Sequence, residues 1–220
     1  MMFLSLGGNC VPGFQIERKF GADGMYFNYT VTPYQGLVRL LESNFKGSLE
    51  KGNLAIGQWE GHDSVYDSTT NIFYHHDFLC SPERHHANGR RMITPDDISS
   101  YYHAVKSKYD YLAAKFLKTI ASGVPLAFIR REYDGSCLDP AKMERVDDLL
   151  RSLGAKNYRL ICVHHDSSLE WHSTHKGYDY FLAAYETRPL PSAWATKDES
   201  WDAIFKFMAE HCGADYAIAK

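Results

Sequence analysis

Six residues near the amino terminus place a cysteine where a nucleophile could be activated. Ser5 to Cys10 reads Ser-Leu-Gly-Gly-Asn-Cys and overlaps an apolar stretch that is typical of a buried strand. The glycines permit a tight turn, and Val11 to Phe20 is predicted to be a helix with Pro12 in its first turn. Unpaired N–H groups and the helix dipole would then favour the thiolate of Cys10. Alternatively, the glycines only connect two elements and Cys10 is a small buried hydrophobe, as free cysteine commonly is.

Reactive side chains also follow three other predicted strands. In open α/β sheets, ligands bind outside the carboxyl ends of the strands, because loops and helix N-termini converge there. Neighbouring parallel strands would bring these side chains to one rim and form a catalytic cleft, although strand ends are polar in many proteins. The groups that follow the four strands are Asn9 and Cys10; His75, His76 and Asp77; Arg130 and Arg131; and His164, His165 and Asp166.

A thiol nucleophile needs a base, and the base needs an acceptor that orients it. On an extended strand end His75 and His76 point to opposite faces, so one of them can face the site, and the same holds for His164 and His165. Asp77 would point away from His76 unless the chain turns there. Asn28 is the amide candidate for orienting the base, and its other interpretation is a turn residue.

Other chemistries fit the same segments less specifically. Gly7, Gly8 and Asn9 at the helix start could hold a phosphate, a nucleotide or a sugar nucleotide, with Arg130 as an anion clamp. This turn is neither a dinucleotide fingerprint nor a Walker loop. Arg130 could equally form a structural ion pair. The two His-His-Asp strings lack the spacing of helical zinc motifs, so no metal and no cofactor are predicted. A non-catalytic interaction domain is the third alternative.

Composition narrows the class of protein. The 220 residues are 45% hydrophobic, which is enough for one substantial core. The net charge of −3 and the lack of a Lys/Arg run argue against a nucleic-acid partner. Five scattered cysteines without a C-x-x-C pair fit a reducing compartment. No signal-like or membrane-length apolar stretch is evident, so we expect a soluble cytoplasmic protein without a membrane partner. The sequence does not determine an oligomeric state.

Apolar strands alternate with capped helices, which predicts one α/β domain over residues 1–220. We expect a central, largely parallel or mixed sheet with helices on both faces and an irregular insertion at about 46–92. A short strand, Leu54 to Trp59, is expected near the start of that insertion. The other predicted helices are opened by Thr32-Pro33, Thr94, Asp139 and Asp198, and the other predicted strands cover 71–74, 124–129, 158–163, 180–185 and 216–219.

The motifs resemble a family of bacterial and viral proteins described as papain-like cysteine peptidases (DUF1796-like). The resemblance covers about residues 2–165, and its most specific part is the S-L-G-x-N-C run that ends at Cys10. A papain fold packs the cysteine helix against a separate antiparallel barrel, which the predicted α/β sheet does not match. The other matching segments are Tyr26 to Tyr29 for a P-F-D-W-like block, Phe73 to Asp77 for F-x-H-D, and Leu126 to Arg130 for an apolar strand that ends in arginine.

The resemblance implies Cys10 as nucleophile, His76 as general base, and Asp77 or the aspartate of the P-F-D-W block as third member. Asn28 replaces that aspartate here, and an amide can still orient an imidazole. We therefore expect a cysteine-dependent hydrolase or acyl transferase that acts on a small-molecule or peptide substrate through a peptide, amide or thioester carbonyl. Substrate and oxyanion contacts are expected from the strand-end residues Gly8, Asn9, Arg130, His164, His165 and Asp166.

Overall fold

A computed structural model of the chain describes residues 1–21, 24–79, 91–132, 138–164, 172–175, 178–185 and 199–211. Within these ranges it contains eight strands and five helices. In chain order they are β1 (Met2–Gly8), α1 (Val11–Phe20), α2 (Tyr34–Glu42), β2 (Leu54–Trp59), β3 (His62–Asp67), β4 (Ile72–Phe73), α3 (Pro95–Ile120), β5 (Leu126–Arg131), α4 (Pro140–Ser152), β6 (Tyr158–His164), β7 (His172–His175), β8 (Tyr178–Tyr185) and α5 (Glu199–His211).

The central sheet has the strand order β1-β5-β6-β8-β7. Strands β1, β5, β6 and β8 run parallel, and β7 pairs antiparallel with β8 at the edge. Every residue of β5 is buried, as expected of a parallel strand that is covered on both faces. The predicted α/β class with a parallel or mixed sheet is therefore confirmed.

Helices cover both faces of this sheet, as the sequence predicts. Alternate residues of β5 belong to different cores: Phe128 packs with residues of α2, α3 and α4, whereas Ala127 and Ile129 pack with residues of α1 and α5. The α5 face carries Trp201 and Phe205, both almost fully buried. The two-residue period of a strand thus divides the apolar side chains between two hydrophobic layers.

Local capping explains why the main helices begin where the sequence predicts. Thr94 and Asp97 form a reciprocal capping box at the start of α3, and Asp139 accepts a hydrogen bond from the Lys142 N–H at the start of α4. Helix α1 spans the predicted residues and ends at Gly21 in a left-handed conformation, φ 60°. The predicted cap Asp198 and the terminal strand at 216–219 lie outside the described residues.

The predicted irregular insertion contains an antiparallel sheet of order β2-β3-β4. Strand β2 is confirmed, but the irregular structure expected after it was wrong, because β3 pairs with β2 along its whole length. Strand β3 was not predicted because several of its residues are polar. Asp67 is nevertheless buried, and its carboxylate accepts hydrogen bonds from the Leu49 and Thr69 N–H groups at 3.0 and 2.8 Å. Buried polar groups are tolerated where such bonds replace water.

The turn between β1 and α1 depends on two glycines. Gly7 and Gly8 have φ of 73° and 90°, a region that favours glycine. A Cβ on Gly7 would lie 2.8 Å from the Thr32 Cβ, and one on Gly8 would overlap the carbonyl oxygen of Arg131. The Gly8 carbonyl also accepts a hydrogen bond from the Thr32 N–H at 3.1 Å. The chain therefore needs glycine here both for its dihedral angles and for close backbone packing.

We predict that Gly8→Ala lowers the free energy of unfolding by about 3 kcal/mol or more, because it combines a positive φ with a backbone overlap. The matched control is Gly47→Ala: Gly47 has φ 74° and open space around its Cβ position. That change is expected to cost only about 1 kcal/mol. Urea unfolding of both variants measures the difference, and equal costs would contradict a close packing role for Gly8.

Candidate active site

Cys10 is the N-cap residue of α1, at φ −79° and ψ −10°. The Asn9 Oδ1 accepts a hydrogen bond from the Val11 N–H at 3.1 Å, and the next residue, Pro12, has no N–H. These two positions therefore offer nothing to an anion at the helix start. The geometry disfavours Gly7 to Asn9 as a phosphate cradle, and Asn9 orders the turn that carries the thiol.

The Cys10 thiol is held in its protonated form. Burial is the largest influence and raises its pKa from 9.0 to about 11. The residue's own backbone N–H lowers the pKa, the Glu60 charge raises it, and the Arg131 charge lowers it. The expectation that the helix start favours thiolate is therefore wrong for this state, because desolvation outweighs the helix dipole and the nearby cation.

His76 lies against the same helix as Cys10. Its ring contacts the Phe14 ring edge-to-face, with centroids 5.6 Å apart and planes at 90°. Phe14 is one helical turn beyond Cys10, and its N–H donates to the Cys10 carbonyl at 3.1 Å. The Tyr29 ring completes the cluster, 5.3 Å from Phe14 and 6.4 Å from His76. The structure thus brings the predicted base to the first two turns of the predicted nucleophile's helix.

The route by which His76 reaches α1 differs from the predicted one. Its preceding strand, β4, belongs to the antiparallel sheet, so the predicted parallel-strand rim shared by His76 and Cys10 was wrong. Instead Val31 and Phe73 exchange two backbone hydrogen bonds of 3.0 and 2.9 Å, and the next N–H, from Thr32, donates to Gly8. These bonds join the end of β4 to the end of β1.

The His76 imidazole is kept neutral. Burial, the largest influence, lowers its pKa below the usual 6.5; the Asp77 charge opposes this shift, while Arg91 and Lys108 add to it. A neutral imidazole is the form that can accept a thiol proton during attack on a carbonyl. The electrostatics therefore suit His76 to act as a general base.

His75 is bound to the β2–β3 hairpin. Its Nδ1 lies 3.3 Å from the Ser64 Oγ, and the Arg91 guanidinium binds both its ring and, at 2.7 Å, its carbonyl oxygen. Burial and the Arg91 charge lower the pKa of His75 to about 3. The centroids of the His75 and His76 rings lie 5.1 Å apart. Of these two histidines, His76 is the one whose ring contacts Phe14 and Tyr29 in the described part of the chain.

The two candidates for a third member occupy different positions. The Asp77 carboxylate accepts hydrogen bonds from the Tyr109 hydroxyl, at 2.6 Å, and from the Lys108 ammonium, both on α3. Asn28 is 2% exposed and packs directly on α1, since a Cβ on Gly13 would overlap its backbone. Asp77 thus acts on His76 through its charge from the side of α3, whereas Asn28 lies beside the helix that carries the thiol.

Arg130 has a structural environment. Its guanidinium is fully buried and donates to the Leu6 carbonyl at 2.7 Å, to the Thr32 carbonyl at 3.0 Å and to Glu132. These contacts join β1, β5 and the segment after Asn28. Of the two alternatives in the sequence, the ion pair matches this geometry, and an anion clamp would need an accessible guanidinium.

Two charged residues act on the thiol: Arg131, which the sequence already places at a strand end, and Glu60, which it does not indicate. Arg131 lies opposite Gly8 in the sheet register and is 2% exposed, and Glu60 lies at the turn between β2 and β3 with φ 49°. Both charges act on Cys10. Because neighbouring residues in a strand face opposite sides, Arg131 and Arg130 lie on different faces of β5. No local signal distinguishes Glu60 from an ordinary turn residue.

The strand end at His164 lies farther from Cys10 than the end of β5 does. His164 ends β6, and β5 lies between β6 and β1, so about 10 Å separates the two strand axes. His165 and Asp166 lie outside the described residues. Within the part of the chain that is described, no group of three or more His, Cys, Asp or Glu side chains could hold a metal ion. No described helix combines the length and apolarity needed to cross a membrane.

We predict that Arg130→Met acts on stability. It removes a buried ion pair and leaves the carbonyls of Leu6 and Thr32 without their donor, which costs about 3 kcal/mol or more in the free energy of unfolding. The control Arg145→Met removes an exposed ion pair with Glu42 and should cost less than about 1 kcal/mol. Chemical denaturation compares the two, and an unchanged midpoint for Arg130→Met would contradict the structural role.

We also predict a slow, steeply pH-dependent alkylation of Cys10. Because its pKa is raised to about 11, the iodoacetamide reaction should accelerate throughout pH 7–10. Peptide mass spectrometry on the Cys10 fragment measures the rate, with N-acetylcysteine in the same solution as the reference thiol. A plateau of the Cys10 rate below pH 8 would show a resting thiolate and contradict the prediction.

Comparison with known families covers most of the chain. A family model described as "Putative papain-like cysteine peptidase (DUF1796)" matches residues 1–167. This range contains Cys10, Asn28, His76 and Asp77. No curated protein and no solved structure matches the chain.

Proposed function

The chain belongs to the family described as "Putative papain-like cysteine peptidase (DUF1796)", and from this premise we propose that it is a cysteine-dependent hydrolase or acyl transferase. Cys10 is the nucleophile and His76 is the general base. The observation that carries the proposal is the packing of the His76 ring on Phe14, one turn along the helix that begins at Cys10. Peptide, amide and thioester carbonyls are the substrate classes that this chemistry accepts.

The reaction proceeds from a neutral thiol and a neutral imidazole. His76 takes the proton from the Cys10 Sγ as the Sγ–carbon bond forms, and the carbonyl electron pair moves to oxygen. The tetrahedral intermediate then expels its leaving group, which receives the proton from the imidazolium. Water, deprotonated by His76, or another nucleophile cleaves the resulting thioester and restores the thiol.

Burial supports this neutral starting state at both groups. It raises the pKa of Cys10 and lowers that of His76, so an ion pair of thiolate and imidazolium is disfavoured before substrate binds. Proton transfer is then coupled to attack on the carbonyl. Asn28, beside α1, and Asp77, adjacent in sequence to the base, are the residues available to orient the imidazole.

The proposal predicts an acetyl thioester on Cys10 after incubation with p-nitrophenyl acetate. Acetylation forms the Sγ–carbon bond and releases p-nitrophenolate. His76→Gln should slow acetylation about a hundredfold or more. Intact-mass and peptide mass spectrometry locate the adduct, and release of nitrophenolate gives the rate.

Cys10→Ala should abolish the adduct, whereas Cys162→Ala, which removes the buried cysteine of β6, should keep it. An adduct that persists in Cys10→Ala, or a rate that His76→Gln leaves unchanged, would overturn the assignment. The pH profile has a defined sign: because the pKa of His76 is lowered, the rate should persist below pH 6.5 and fall only as His76 becomes protonated.

A further inference from the structure

We propose that Lys108, on α3, is a positioning residue for the His76 imidazole and acts through Asp77 and Tyr29. The inference rests on the proposed function of Cys10 and His76. Helix α3 carries neither the nucleophile nor the base, and this inference gives it a role in the candidate site.

Two consecutive residues of α3 hold the Asp77 carboxylate. The Lys108 Nζ donates to one oxygen, and the Tyr109 hydroxyl donates to the other at 2.6 Å. The Asp77 side chain is only 4% exposed, so these donors replace most of its hydration. Because Asp77 directly follows His76, anchoring its side chain on α3 restricts the backbone that carries the imidazole.

Lys108 also lies over the Tyr29 ring, which packs on His76. Its Nζ lies 5.6 Å from the centroid of the Tyr29 ring and 5.4 Å from that of Tyr109, within the range of cation–π attraction. The Tyr29 ring in turn contacts both Phe14 and His76. The Lys108 ammonium therefore contacts both Asp77, which follows His76 in the sequence, and Tyr29, whose ring packs on His76.

The charged groups around His76 determine the direction in which Lys108 affects its protonation. Its own loop contributes Asp77 and the neutral His75, the segment before α3 contributes Arg91, and α3 contributes Lys108. From the α1 side the ring meets Phe14, and Glu17 of that helix accepts a hydrogen bond from the Tyr29 hydroxyl. Lys108 thus offsets the adjacent carboxylate, and its removal leaves the Asp77 charge less opposed.

We predict that Lys108→Met shifts the acid limb of Cys10 acylation to higher pH. His76 would be protonated at a higher pH than in the native protein, so acylation on the acid side should slow by roughly threefold or more. Lys108→Arg should retain most of the native pH profile. Asp77→Asn should shift the acid limb of that profile to lower pH. p-Nitrophenyl acetate is the probe, and the Cys10 adduct is measured between pH 4.5 and 8.

Lys106→Met is the matched control, since Lys106 forms an ion pair with Asp110 on the same helix. It should leave the profile unchanged. Lys108 is 43% exposed, so Lys108→Met is expected to fold, and its urea midpoint verifies this. A ¹⁵N-histidine NMR titration, with His76 assigned through His76→Gln, reports the same shift without any turnover.

The two proposals fail separately. If native protein forms no His76-dependent adduct on Cys10, the proposed function is wrong, while the NMR titration still tests the effect of Lys108 on His76. If the adduct forms but Lys108→Met and Lys106→Met give the same profile and the same His76 titration, the positioning role of Lys108 is overturned.

Discussion

The backbone junction at the end of β1 is the constraint on which the rest of the structure depends. Three segments meet there: the glycine turn before Cys10, the segment that contains Thr32, and the end of β5. The buried guanidinium of Arg130 joins all three by donating to Leu6, Thr32 and Glu132. Hydrogen bonds therefore connect the turn before α1 to both sheets.

Packing at this junction also affects the protonation of the candidate site. Cys10 is half-buried at the turn, and its desolvation raises its pKa more than the cation and the backbone N–H lower it. The same loss of water lowers the pKa of His76. Both groups are neutral at rest, so the chemistry that suits them is proton transfer coupled to attack, rather than a preformed ion pair. The burial that stabilises the fold thus also determines the protonation state from which a reaction starts.

The parts of the fold that could be predicted were those governed by local physics. Capping at Thr94 and Asp139 determines where α3 and α4 begin, and the apolar runs around Phe128 and Leu160 indicate buried parallel strands. The hairpin partner β3 escaped prediction because its polar residues are buried through contacts distant in sequence. Asp67 bonds to the Leu49 N–H, and Asp63 bonds to the Ile93 N–H at 3.1 Å. Neither partner can be inferred from the pattern of β3 itself.

The sequence by itself determined that a cysteine stands at the start of a helix after a glycine turn, since dihedral preference, capping and hydrophobic period are local properties. It also carried the motif that relates the chain to its family. Only the tertiary structure decided which histidine faces that helix, where Asp77 and Arg130 place their charged groups, and which charges surround the thiol. The physical reason is that these choices depend on hydrogen bonds between segments far apart in the chain, such as Val31 with Phe73, and on how much water the resulting packing excludes.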